Sequence, residues 1–504
     1  MENNPKTKAE RLKESNGEVL ISLIKEKCEL FSNLEGKNYA KFSVGNHKEV
    51  YSLDSQEFTD ALSHWYYKKT NKGVSKSVLE TVMSTLNAIA RHDGKNMPVY
   101  LRTAQLEGAI YIDLCDKDWR CVEVTRDGIC VLDESPVLFT RTNNMKPLPI
   151  PSNSINYDDA KDNIRLLLKH INIQENQLVL VVGWILMSLQ SSKAAYPILV
   201  VNGSAGSGKS TACEMLRSLI DPNKANLISQ PKSSELRVVA AENHVLAFDN
   251  ISSISPNFSD SICKISTGDN QIIRKLYTTN SSMTLSMKKV LILNGIPEMT
   301  KRADLVSRSV KISLKKIENR MTLENAWKAF NDDSKDIFES LLVGLSVALM
   351  SYDNIKVKDM TRMADFCRFA TASHIAYGWS ESNFMEIYNE NIKSSHVDSL
   401  ESSLFSSGIV KMFERELDFE GRPIELLEHL EDKQYVSEKT IRSSKWVSTP
   451  KGVIENLDRA EDSLEAIGIT YQKYKDRNNK TYVKLWTESN LSNNYREREF
   501  EGLF

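Results

Sequence analysis

Long apolar runs are scarce in this 504-residue sequence. The longest, Leu178 to Met187, is about half of what a bilayer-spanning helix needs, so it is expected to be a buried helix and no membrane is expected as a partner. An excess of either charge is also missing: 65 Lys and Arg stand against 67 Asp and Glu, a net of −2. Any nucleic-acid surface must therefore be a local patch rather than the whole molecule. Cysteine is sparse and unpatterned. The seven residues, Cys28, Cys115, Cys121, Cys130, Cys213, Cys263 and Cys367, are odd in number and include no C-x-x-C. That excludes a disulfide scaffold, argues against a zinc site and points to a reducing compartment. The stretch Met1 to Gly17 is polar and charged, so a signal peptide is not expected and a cytoplasmic location is. What is abundant is ordinary globular composition, 41% hydrophobic and 26% charged, in a chain too long for one core. Three or four domains are expected.

The chain is organised around Gly203-Ser204-Ala205-Gly206-Ser207-Gly208-Lys209-Ser210, which fits G-x-x-x-x-G-K-[ST] at every fixed position. A β-prone run, Pro197 to Val201, precedes it and a helical pattern, Thr211 to Ile220, follows. The glycines allow turns that a Cβ would block, so backbone N–H groups and a helix N-terminus converge on phosphate oxygens. Lys209 adds charge for the terminal phosphates, and Ser210 offers a hydroxyl to Mg²⁺. The expected ligand is ATP with Mg²⁺, held by residues 203 to 211.

Three further stretches suit the same site. Val245 to Asp249 is an apolar strand ending in an acid, able to hold the Mg²⁺ shell opposite Ser210. Val290 to Leu293 runs into Asn294, an amide able to orient water or touch the γ-phosphate, although an Asn after a strand is ordinarily a turn residue. Arg302 and Arg308 flank a short segment before the β-prone run Val310 to Leu314. Each is either a surface ion pair or an arginine that stabilises charge on a neighbouring subunit's nucleotide.

Ahead of this region, residues 1 to about 95 read as mostly helical, with Val19 to Leu30, Phe58 to Trp65 and Val74 to Ala90 at helical spacing. Short β-prone runs follow at Val99, Ala109, Val122 and Ile129, with Asp127-Gly128 as a hairpin signal. Asp113, Asp116 and Asp118 suit either metal-dependent primase chemistry or, more plainly, a solvated loop. The proline-bearing Lys146 to Pro151 reads as a linker. No internal repeat is evident.

Beyond the core, residues 318 to 395 are helical, with Ile337, Phe338, Leu341, Leu342, Leu345 and Leu349 on one face. The last hundred residues read as helix, helix, helix and wing. Pro423 to Leu430 and a basic stretch with Lys439, Arg442 and Lys445 precede a helix opened by Thr449-Pro450 and stopped by Gly468. A hairpin then carries Lys473, Lys475, Arg477, Lys480 and Lys484 among Tyr471, Tyr474 and Tyr482. Basic and aromatic side chains together suit DNA, but Glu455, Asp458, Glu461, Asp462 and Glu465 would repel a major groove. Only the first turn of that helix, Lys451 with Asn456 nearby, could approach bases; the wing together with Lys439, Arg442 and Lys445 is the better DNA contact, and a protein-docking role is the alternative.

The ordered set GSAGSGKS, VLAFDN, VLILNG and DLVSRS resembles an AAA+ ATPase, and the last stretch is similar to the arginine-finger signature of minichromosome-maintenance (MCM) helicases. Gln271 to Lys289 resembles the hairpin that MCM-like and superfamily III helicases push into a central channel. Tyr111 to Leu114, Asp304 to Arg308 and Met363 to Phe366 resemble self-loading helicases of phages, pathogenicity islands and staphylococcal cassettes. The resemblance implies an α/β P-loop AAA+ core (151–317) with a helical lid (318–395), an α+β N-terminal domain (1–150), a C-terminal winged helix (396–490) and a tail (491–504). It implies a ring, a hexamer, that couples ATP hydrolysis to movement on DNA during replication of a mobile element. Single-stranded DNA would pass the channel near Lys275, Lys288 and Lys289, duplex would meet the winged helix, and a primase or loader is a possible further partner. Arg362 or Arg368 would be the lid's sensor. One departure stands out. MCM-type helicases carry Glu after the metal-site acid, and this chain has Asn250, which cannot act as a base. Glu242, Glu298 or Asp249 itself would have to serve, or turnover is slow. The competing readings are a non-helicase AAA+ DNA-binding ATPase (a loader, a regulator or a phage-defence switch) and a primase-helicase.

Overall fold

The computed structural model describes residues 16–488 except 153, 192, 269, 275–281, 296–301 and 358–361. The first helix, Asn16–Lys27, stops sooner than its apolar spacing suggests, and a three-stranded antiparallel sheet follows: Cys28–Ser32, Asn38–Val44 and His47–Ser52. This sheet interrupts the mostly helical start expected from sequence. Its signal is the turn: Val44 pairs with His47 across Gly45-Asn46, and Gly45 adopts φ 58°. Helices Gln56–Thr70 and Lys76–His92, capped by Ser55 and Ser75, pack on it. The β-prone runs then form a four-stranded antiparallel sheet, Thr103–Leu106, Ala109–Asp113, Cys121–Val124 and Ile129–Leu132.

The boundary expected at 150 does not divide the packing. Ile110, Ile112, Val122, Val124 and Leu148 share one core with the helix α1 (Glu175–Leu189) and the strand β1 (Ile198–Gly203). Nor is 146–151 a loose linker. Lys146 N–H donates to Pro222 O and Leu148 N–H to Leu114 O, both at 2.9 Å. The apolar run 178–187 lies within α1 and is buried throughout. No described helix is long and apolar enough to cross a membrane.

Helix α2 (Lys209–Ser218) follows β1 after the glycine loop. The chain then supplies β2 (Ile228–Ser229), β3 (Val245–Ile251), β4 (Val290–Gly295) and β5 (Ser309–Leu314). These form a parallel five-stranded sheet in the order β2-β3-β4-β1-β5. Both faces are covered, which is why the strands are apolar on both sides: Leu199 and Val201 face the α1 core, Ile198 and Val200 the cluster of Phe248, Phe258 and Leu291.

Helices α3 (Leu323–Ser351), capped by Thr322, and α4 (Ala364–His374) follow. Their apolar faces join the core around α1 and the amino-terminal sheet. The last unit has its own core around Phe405, Leu426, Leu457 and Val483. Strand β6 (Asp418–Gly421), helix Pro423–Asp432, helix α5 (Pro450–Ala466) and strands β7 (Thr470–Lys475) and β8 (Thr481–Trp486) build it. Its antiparallel sheet runs β6-β8-β7, with β6 unforeseen from sequence.

Candidate functional site

The loop 203–210 leaves the carboxyl end of β1, a central strand of the sheet, where α/β proteins hold their ligands. Gly206 and Gly208 have φ of 76° and 80°, conformations that a side chain disfavours, and Gly208 sits directly before α2. Ser204 and Ala205 lie on the loop and Thr211 in the first turn of α2. Lys209 Nζ donates to Gly203 O at 2.8 Å and Ser204 O at 2.9 Å.

Sheet register brings the other predicted residues to this mouth. Val201 is level with Asn294, and Phe248 with Leu293, so three strand tips end together. Ser210 Oγ donates to Asp249 Oδ1 at 3.0 Å. Asn294 Nδ2 donates to Ser210 Oγ at 3.2 Å and also bonds Asp249. Among the described residues, Asn294 Oδ1 and the Ser207 hydroxyl are buried without a partner. A hydroxyl and a carboxylate converging beside a lysine are hard oxygen donors of the kind Mg²⁺ takes, with phosphate completing its shell. The residues present therefore fit a magnesium polyphosphate. Asn250 follows in a left-handed conformation, φ 54°, where the pairing of β3 with β4 shifts register between Phe248 and Ile251. Asn tolerates this conformation better than Glu.

The proposed substitutes for a base fare differently. Glu242 is the C-cap of a helix that precedes β3, so it lies at the opposite end of that strand from Asp249. It cannot serve the same mouth. Glu298 lies outside the described residues. Sequence reasoning missed Glu214, one helical turn from Ser210. Burial raises its carboxyl above the usual range, and the Asp249 charge adds to this. Its signal was the i, i+4 spacing from Ser210.

Arg308 immediately precedes β5, and its carbonyl accepts from Ile198 N–H at 2.9 Å. It is therefore at the end of the sheet away from its own loop. Its guanidinium pairs with Asp304, which also receives Arg362 at 2.8 Å. Burial pushes the Asp304 carboxyl up, but the bond and charge of Arg308, then Arg362, hold it below its usual range. Arg302 pairs with Asp260 at 2.7 Å. Arg368, the other sensor candidate, donates to Tyr352 O at 3.0 Å and lies 4.1 Å over that ring.

The expected channel hairpin is an antiparallel pair, Asn270–Arg274 with Ser282–Ser286. Lys275 and the turn lie outside the described residues. Lys288 and Lys289 are corrected. Lys288 Nζ donates to Ala194 O at 2.7 Å and lies 4.3 Å over the Tyr196 ring. Burial lowers both lysines to about 8; both are half-buried, and they follow the second strand of the pair rather than lying on it. In the last unit Lys445, Lys475, Arg477 and Lys480 are exposed, whereas Lys473 is held by Asp458 at 2.7 Å and Lys484 by Glu420 at 3.0 Å. The amino-terminal carboxylates are likewise occupied: Arg141 binds Asp113 and Arg120 binds Asp116. Among the described residues no cluster of three metal-ligating side chains occurs.

Comparison with known proteins adds the biological setting. Residues 164–386 match the family of the actinomycete integrative conjugative element replication protein, and residues 405–496 match the C-terminal domain of the same RepA. The chain is thus similar to the replication protein of a mobile element on both sides of residue 400, which links it to DNA replication. No curated protein matches it. Among solved structures, the apo A form of the NrS-1 C-terminal region aligns with 93% of this chain and 98% of that one, at 12% identity and a TM-score of 0.37. A second structure of the region aligns with 94% of this chain and 100% of that one, at 11% identity and a TM-score of 0.36. That degree of likeness adds nothing to the reading of the site.

Proposed function

We propose that this chain is an AAA+ ATPase of MCM-like type that assembles as a ring, a hexamer, and drives DNA unwinding in the replication of a mobile element. The observation that carries it is the contact of Ser210, Asp249 and Asn294 at the mouth of the glycine loop. The strand order β2-β3-β4-β1-β5, the paired strands between β3 and β4, and the arginines at the far end of β5 support the same reading. Bound ATP·Mg²⁺ supplies the phosphoanhydride whose hydrolysis powers movement. Lys209 and the loop amides hold the phosphates, Ser210 and Asp249 hold the metal, and Asn294 orients the attacking water. Arg308, with Arg302, completes a neighbouring subunit's site, which requires Arg308 to exchange Asp304 for phosphate. The three-stranded sheet, its helices and the exposed wing residues Lys475, Arg477 and Lys480 support a winged helix that meets duplex DNA.

A second reading, a slow AAA+ switch such as a loader or regulator, is favoured by Asn250. Its left-handed backbone and amide side chain leave Asp249 as the only acid of the VLAFDN stretch. The tests are direct. Lys209→Ala should lose ATP turnover while its circular dichroism is unchanged; undiminished turnover rejects the site. Wild-type protein should displace a strand from forked DNA and form rings in micrographs with a slowly hydrolysed ATP analogue. ATP-dependent DNA binding without displacement favours the switch.

A further inference from the structure

Residues 315–322 lead from β5 to α3 and cross the glycine loop. Both ends are tied. Lys315 N–H donates to Asn172 O at 2.8 Å, Asn172 Nδ2 donates to Lys315 O at 2.7 Å, and Thr322 caps α3. Between these anchors Ile317 Cδ1 stands 3.1 Å from where a Cβ on Gly208 would be. Arg320 Nη2 stands 2.9 Å from where a Cβ on Gly206 would be. The guanidinium thus occupies room that only glycine leaves, at the apex of the loop. Arg320 is exposed, and among the described residues no carboxylate or carbonyl accepts from it. This sets it apart from Arg302, Arg308 and Arg362, each of which has a carboxylate partner.

An exposed guanidinium set against Gly206, on the loop that also carries Lys209, is placed to meet an anion bound by that loop. Its planar fork then matches phosphate oxygens. We propose that Arg320 is a phosphate ligand in its own chain, so that 315–322 acts as a strap across the polyphosphate held by 203–210. This rests on reading that loop as a polyphosphate site, and it concerns binding within one subunit rather than the contact across subunits assigned to Arg308.

The test is titration of a fluorescent ATP analogue with Mg²⁺ into full-length protein, at a concentration where light scattering finds monomers. Arg320→Ala should weaken binding about tenfold, the scale of one partly exposed charge-assisted bond. Arg320→Lys should recover part of that loss, and Arg459→Ala, at an exposed position of α5 in the last unit, should bind as wild type does. Lys209→Ala should lose binding. If it does not, the reading of the loop falls and this inference with it. If Lys209→Ala loses binding and Arg320→Ala does not, the loop stands and Arg320 is not its ligand. A defect seen only at concentrations where chains assemble would assign Arg320 to a neighbour's site and overturn the inference.

Discussion

Replacing Asp221 by asparagine removes a negative charge held between two buried guanidiniums. Asp221 follows α2 and is 0% exposed, with Arg102 at 0% and Arg217 at 1%. Arg102 Nε donates to its Oδ1 at 3.0 Å, Arg217 lies 3.8 Å from Oδ2, and Oδ2 accepts the N–H groups of His244 and Val245 at 3.1 Å each. One carboxylate thereby fastens the amino-terminal sheet, through Arg102, to the start of the strand that delivers Asp249. Removing one partner of such a buried pair costs about 3–5 kcal/mol, against a whole-domain stability of about 5–15 kcal/mol. Urea unfolding of Asp221→Asn at pH 7 should show a loss of that size. The pH dependence has a definite sign. Burial pushes the carboxyl up, but Arg102 and then Arg217 outweigh it, so the folded group titrates below its ordinary range. Its stabilisation is then complete above the unfolded value of about 3.9 and is lost as pH falls through the folded value. The gap between wild type and variant should hold from pH 7 to about 5 and close below about 4. A variant within about 1 kcal/mol of wild type at pH 7 would refute an ion-paired cluster, given the scale expected for one.

Two other measurements bear on the structure. Burial lowers His244 to about 4, with Asp221 opposing, and its ring bonds Ser188 O at 2.8 Å. The unfolded chain, with an ordinary histidine near 6.5, takes up the proton first, so stability should fall as pH drops from about 6.5 towards 4; unfolding without proton uptake at about pH 5.5 would reject a buried neutral ring. Changing Lys475, Arg477 and Lys480 together to Ala should lower the slope of log affinity for DNA against log salt by about 2–3. Lys288→Ala should leave that slope alone, because its ammonium is held at Ala194 O. Equal slopes for wild type and the triple variant would remove the wing from the DNA contact.

Local signals served where chemistry and backbone constraint coincide. The glycine loop between an apolar strand and a helix was readable because phosphate-type loops need glycine at set places, and Ile198–Gly203 and Lys209–Ser218 flank it as expected. The Pro450 start and Gly468 stop of α5 were readable for the same reason, Gly468 taking φ 89°. Signals failed where the information was non-local. Lys288 and Lys289 looked like hairpin cations, yet Tyr196 and Ala194, about ninety residues earlier, hold Lys288. The sheet at Cys28–Ser52 was passed over because its alternation is short and its turn, Gly45-Asn46, was not weighed.

By itself the sequence determined the loop, the strand-end acid at Asp249 and the amide at Asn294, because each depends on residue type and immediate neighbours. Only the tertiary structure decided that these three meet, since strand order and register are properties of the whole sheet. It alone decided which charges are free, because an ion pair is a statement about distance through space. Arg320 illustrates the difference: nothing near it in the chain marks it out, and only the crossing of 315–322 over Gly206 puts a guanidinium against the loop.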